Sequence, residues 1–126
     1  MKIVVFGGTK FLGRGVVDAA REHELTLVNR GTTSPELYPD VEQIHLDLTG
    51  DLGALAGRTW DAAIDMDPTQ LPRHTRRRAE AVDVGHYVFV STISVYSDTS
   101  KPIDESSPLF EPPDPEPETF DPELYG

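Results

Sequence analysis

The chain has 126 residues, no cysteine and a formal net charge of −11. That is room for one domain with one core, and it excludes disulfides, thiolate chemistry and cysteine-ligated zinc or iron–sulfur sites. No stretch approaches a membrane span and no signal peptide is recognisable, which together with the missing cysteines fits a cytoplasmic location; the acidity argues against nucleic acid as a partner, because phosphate backbones require a basic face.

The apolar run Ile3 to Phe6 predicts a short strand buried on both sides. It stops at Gly7-Gly8, and Phe11, Leu12, Val16, Val17 and Ala20 then recur at helical spacing to about His23. Glu24 to Asn29 reads as a second strand, which completes a βαβ unit. Residues 31 to 40 carry threonine, serine and two prolines and read as a loop. Val41 to Leu46 is the third predicted strand, followed by the turn Asp47-Leu-Thr-Gly-Asp51 and a short helix over Leu52 to Ala56. Trp60 to Met66 is the fourth strand. A helix from Thr69 or Gln70 to Val84 accepts Pro72 in its first turn. His86 to Thr92, β-branched and aromatic, is the fifth strand.

The composition changes at Ser97. Residues 101 to 126 hold eight acids against one base, and seven of the chain's eleven prolines lie between Pro102 and Pro122. Such a segment buries too little apolar surface to offset its ordering entropy. It is predicted to be extended or disordered when isolated, with Phe110 and residues 120 to 125 as anchor points. The expected organisation is therefore a nucleotide-binding domain over residues 1–96 and an acidic tail over 97–126. Strands alternating with helices predict an α/β fold with a doubly wound parallel sheet of the Rossmann type, strand order 3-2-1-4-5, with a ligand at the strands' C-terminal ends. Five strands followed by a loose tail suggest an incomplete unit, and its exposed sheet edge is a site for self-association.

Several residues at that end carry chemistry. In Gly7-x-x-Lys10-x-x-Gly13 the outer glycines permit the turn and the close packing of helix on strand. The helix N-terminus beyond them is a seat for phosphate. Lys10 replaces the glycine expected nearest a pyrophosphate and brings positive charge there instead. After the second strand, Asn29-Arg30 stands where an acid would hold the ribose of NAD; an arginine suits the 2′-phosphate of NADP, the alternative being a solvated loop residue. Asp47 can accept from an adenine amino group or serve as a turn aspartate. Leu48 and Met66, at the ends of the third and fourth strands, complete the predicted cofactor contacts, and Ser91 presents a hydroxyl at the end of the fifth strand. Arg73, His74, Arg76, Arg77 and Arg78 form a basic helical cluster, read as a solvated face with Glu80 pairing to Arg76 and Arg77. His23, His45, His74 and His86 have no metal-ligand spacing, and no metal site is predicted.

Taken together, Gly7-Gly-Thr9-Lys10-Phe11-Leu12-Gly13, Asn29-Arg30-Gly31 and the strand-end run Tyr87 to Ser97 resemble the short-chain dehydrogenase/reductase superfamily. The resemblance is to its extended or atypical branch, the NAD-dependent epimerase/dehydratase family. It covers the chain but only the front half of that family's pattern. It implies NADP or NAD as cofactor, and a nucleotide sugar or another small carbonyl or hydroxyl compound as substrate. By the same resemblance Thr92, with Ser91 beside it, polarises the substrate oxygen. Tyr125 begins the Tyr-x-x-x-Lys motif of the general acid/base, whose lysine would be residue 129. Hydride transfer by these 126 residues alone is accordingly expected to be weak or absent. A non-catalytic nucleotide-binding module is the alternative, and RNA binding, suggested by stem-loop-binding relatives and the arginine helix, ranks below both.

Overall fold

The computed structural model describes residues 1–67 and 71–119. Five strands, β1 (Lys2–Phe6), β2 (Glu24–Asn29), β3 (Glu42–His45), β4 (Thr59–Asp65) and β5 (Asp83–Phe89), form one sheet in the order β3-β2-β1-β4-β5. All four pairings are parallel, so every strand points its C-terminal end to the same edge. Helix α1 (Phe11–Ala19) joins β1 to β2, and α2 (Pro72–Ala81) joins β4 to β5. Between them the described residues hold one further helical element, a short 3-10 helix, Gly53–Leu55.

The two faces of β1 seed the two halves of the core. Ile3 and Val5 pack with Leu25, Leu27, Val17 of α1 and Tyr38. Val4 and Phe6 pack with Val28, Ala63, Leu48, Leu52, Leu55 and Val82. A strand covered on both sides must be apolar at every position, which is why Ile3 to Phe6 carries no polar residue. No helix links β2 to β3. Tyr38 fills that place: it is buried, its hydroxyl donates to the Arg14 carbonyl at 3.3 Å, and Arg21 lies over its ring at 4.8 Å.

The predicted strand order is the observed one, while several boundaries move. Helix α1 ends at Ala19, where the Ala20 amide turns back onto the Val16 and Val17 carbonyls and the His23 amide onto the Ala20 carbonyl. Its buried stripe is also narrower than predicted. Gly13 and Val17 are buried, whereas Phe11 is 96% and Leu12 50% exposed. β5 starts at Asp83, three residues before the predicted His86, and ends at Phe89; Ser91 and Thr92 lie beyond it. Helix α2 starts with Pro72 at its first helical position, where a missing N–H costs nothing.

Beyond β5 the chain forms a 3-10 turn over Ile93–Val95 and then doubles back. Tyr96 and Leu109 make an antiparallel bridge, Phe110 N donates to the Val95 carbonyl at 2.7 Å, and Ser97 N to the Pro108 carbonyl at 3.0 Å. Phe110 is thus anchored by its backbone; its side chain is 45% exposed. The other predicted anchor, residues 120 to 125, lies outside the described residues. No helix among the described residues is long and apolar enough to cross a membrane.

Candidate functional site

The turn after β1 is built on two glycines in the left-handed region, Gly7 at φ +100 and Gly8 at φ +96, where a side chain would be strained. Gly13 is needed for a different reason. A Cβ there would sit 2.8 Å from the Gly8 Cα, inside backbone that cannot yield. The start of α1 therefore rests directly on the turn. Lys10 takes the cap position without a side-chain hydrogen bond, so the first-turn amides are left for another partner. Phe11 follows at φ +28 with its ring outside the protein.

The turn forms one wall of a cleft of about 500 Å³ at the C-terminal edge of the sheet. Of the predicted cofactor contacts, Gly7, Thr9, Lys10, Phe11, Leu12, Gly13, Asn29, Arg30, Asp47, Leu48 and Met66 line it. They come from the ends of β1, β2, β3 and β4. The cleft includes the β1–β4 junction, where the strand order reverses. The lining also includes Gly8, Gly31, Thr32, Thr33, Thr49, Asp67 and Val90, which were not among the predicted cofactor contacts. Each of these lies within three residues of one that was, so proximity along the chain was the available signal.

Local hydrogen bonds shape the lips. Asn29 Oδ1 accepts from the Gly31 amide at 2.7 Å, forming a tight turn around Arg30, which is exposed. Gly31 has φ +66 and a Cβ there would meet the His45 ring at 2.7 Å. Asp47 Oδ1 accepts from the Thr49 amide at 2.9 Å and the Thr49 hydroxyl at 2.8 Å. Those two bonds hold the Asp47 carboxyl below its usual range, and the positive charge of Arg30 adds to them. Asp47 is thus a turn aspartate through one oxygen, while the residue as a whole lines the cleft.

No protein-family model and no curated protein matches the chain. Solved structures do. A UDP-galactose 4-epimerase shares 25% identity with a TM-score of 0.69, covering 87% of this chain and 45% of its own. The UDP-N-acetylglucosamine 4-epimerase from Bacillus cereus shares 27% identity with a TM-score of 0.64, covering 87% and 42%. A short-chain dehydrogenase/reductase superfamily protein from Agrobacterium tumefaciens, solved with bound NAD, shares 22% identity with a TM-score of 0.69, covering 87% and 39%. The chain shares the fold of the part of these epimerase and short-chain dehydrogenase/reductase structures that it covers. It spans less than half the length of each of these structures.

Ser91 and Thr92 lie just past Val90 at the same sheet edge but do not line the cleft. Both are exposed. Thr92 caps the 3-10 turn, accepting from the Ser94 amide at 3.3 Å, and its hydroxyl donates to Ser94 Oγ at 3.4 Å. Tyr125 lies outside the described residues.

The arginine helix is not the solvated face expected from its sequence. Arg78 is fully buried. Its Nε donates to Asp65 Oδ2 at 2.8 Å, and its Nη1 lies 3.2 Å from Asp67 Oδ2, paired by charge without hydrogen-bond geometry. Tyr87 donates to the same Asp65 oxygen at 2.6 Å; burial, followed by this bond, pushes its phenol above the usual range. Arg77 donates to the Thr49 carbonyl at 3.1 Å and the Gly50 carbonyl at 2.7 Å. Arg73 holds the carbonyls of Pro117 and Glu118, both at 2.7 Å. Arg76 pairs with the Glu116 carboxylate through two hydrogen bonds, in place of the expected pairing with Glu80. An i,i+4 pattern reports which charges share a helix face; it does not report what packs against that face.

Proposed function

We propose that the cleft binds a nicotinamide dinucleotide, with NADP favoured over NAD, as the cofactor-binding part of an epimerase, dehydratase or reductase. The observation that carries this reading is the common cleft itself. It joins an uncapped helix N-terminus on a glycine turn, an exposed arginine after β2 and a carboxylate after β3. The solved neighbours with a bound NAD support the cofactor class.

The first-turn amides of α1, with Lys10 nearby, hold the pyrophosphate. Arg30 meets the 2′-phosphate, supplying a planar fork of donors to an anion. Asp47 accepts from the adenine amino group. When bound, the cofactor supplies hydride exchange. Thr92, with Ser91 beside it, orients a substrate oxygen, and Tyr125 exchanges its proton. A nucleotide sugar is the favoured substrate class, since several neighbours are UDP-sugar epimerases. The protein works in the cytoplasm, has no nucleic-acid partner, and self-associates through its open sheet edge. Residues 1–96 are the cofactor domain and 97–126 its acidic tail.

Isothermal calorimetry with NADP and NAD tests the reading. NADP binding at least several-fold tighter than NAD is expected; binding to neither defeats it.

A further inference from the structure

The turn from Asp47 to Asp51 forms a lip of the cleft through Asp47, Leu48 and Thr49, and it belongs to neither a strand nor a helix. From below it is pinned by Leu48 and Leu52, which are 6% and 8% exposed and sit in the core. Within the turn, both Thr49 bonds go to Asp47 Oδ1, and the Gly50 amide donates to the Asp47 carbonyl at 3.0 Å. Asp47 Oδ2 has no hydrogen-bond partner among the described residues. The turn's outward carbonyls, those of Thr49 and Gly50, are both taken by the two terminal nitrogens of Arg77. A guanidinium is a rigid planar fork, so two bonds to consecutive carbonyls set the orientation of the peptide between them as well as its distance from α2. Arg77 follows directly in the helix the arginines that hold the tail and precedes the buried Arg78, so its backbone position is itself fixed.

We infer that Arg77 is a positioning residue for the base-reading lip: by holding the Thr49 and Gly50 carbonyls it fixes the turn that aims the Asp47 carboxylate, and thereby sets discrimination for adenine. This inference rests on the dinucleotide reading of the cleft and adds to it the element that enforces base selectivity. A carboxylate accepts from the 6-amino group of adenine. It faces the 6-oxo group of hypoxanthine as one acceptor against another, which leaves it unsatisfied. Selectivity between the two bases therefore depends on where the carboxylate points, which is what the Arg77 fork governs.

The test compares binding of NADP and its hypoxanthine analogue, deamino-NADP, by calorimetry in the full chain and in R77A, R77K and R76A. The unaltered chain is expected to prefer the adenine form by about tenfold. R77A should reduce that preference to about twofold, R77K, with a single donor head in place of the fork, should fall between, and R76A, whose bonds go to the tail, should keep the full preference. The ratio of two affinities is taken within one variant, so a partly unfolded fraction cancels from it. An unchanged preference in R77A overturns the inference alone. Equal binding of both bases by the unaltered chain overturns it together with the role of Asp47. Binding of neither by the unaltered chain overturns the dinucleotide reading on which it stands.

Discussion

Gly13 and Arg78 are the residues at which one side chain decides most. At Gly13 an added methyl group lands 2.8 Å from the Gly8 Cα, and the turn cannot move without lifting α1 from the sheet. G13A is expected to cost ~1–3 kcal/mol, the range for overpacking, and to lower the urea midpoint of unfolding; a midpoint within error of the unaltered chain counts against this account. Arg78 and Asp65 are both completely buried and share a bond at 2.8 Å. Removing the arginine leaves Asp65 with the Tyr87 hydroxyl and the Asp67 amide, but without a buried counter-charge. R78A should therefore lose ~3–5 kcal/mol in the same denaturation, whereas R78M, which refills the volume, still leaves the charge and should recover little. Arg30 lies at the other extreme, exposed and free to meet a ligand. R30A is expected to weaken NADP binding about tenfold while leaving NAD nearly unchanged; a parallel loss for both would show that Arg30 does not read the 2′-phosphate.

Helix α2 owes its role to the directions its arginines take. Successive side chains reach the tail, the β3 turn and the end of β4, so one ten-residue helix ties three segments together. The Arg76–Glu116 contact is open to solvent. The Arg76 guanidinium holds the Glu116 carboxyl below its usual range. A carboxylate whose folded pKa is depressed contributes its stabilisation fully above its unfolded value, about 4.3, and loses it as pH falls through the depressed folded value. The tail should therefore stay docked at neutral pH and detach only as the pH falls through the depressed Glu116 value. NMR shifts of the Asp114, Glu116 and Glu118 amides across a pH titration would report this, and R76A should abolish the transition. A transition that persists in R76A would assign the contact to other groups.

For the molecule as a whole, the two sides of the sheet end differently. The β3 edge is backed by the loop carrying Tyr38, with Glu42 bonded to Arg58 and Thr26. Among the described residues the β5 edge has no further strand, and Val88, Phe89 and Val90 are 39%, 44% and 38% exposed. Ile93, Leu109 and Phe110 extend the apolar surface beyond it. An open edge bearing exposed apolar side chains is a pairing surface. Sedimentation velocity is expected to show association that grows with concentration, and V88K should shift the distribution towards monomer. A single monomeric boundary at all concentrations in the unaltered chain would refute the pairing.

The parallel order of the sheet, the glycine turn and the placement of Lys10, Arg30 and Asp47 at one edge were legible in the sequence. Those features depend on local rules: an apolar run with no polar break, glycines where a chain must turn, and strands that alternate with helices. Other features depended on what lies across space. Phe11 and Leu12 fit a helical stripe, yet they face outward because the cleft, and not the core, adjoins the first turn of α1. Arg73, Arg76, Arg77 and Arg78 share one short stretch of sequence but serve four different partners, from residues 13 to 45 positions away. A charge pattern along the chain records which side chains emerge together; only the packed structure determines which of them lose water, and so which must be paired.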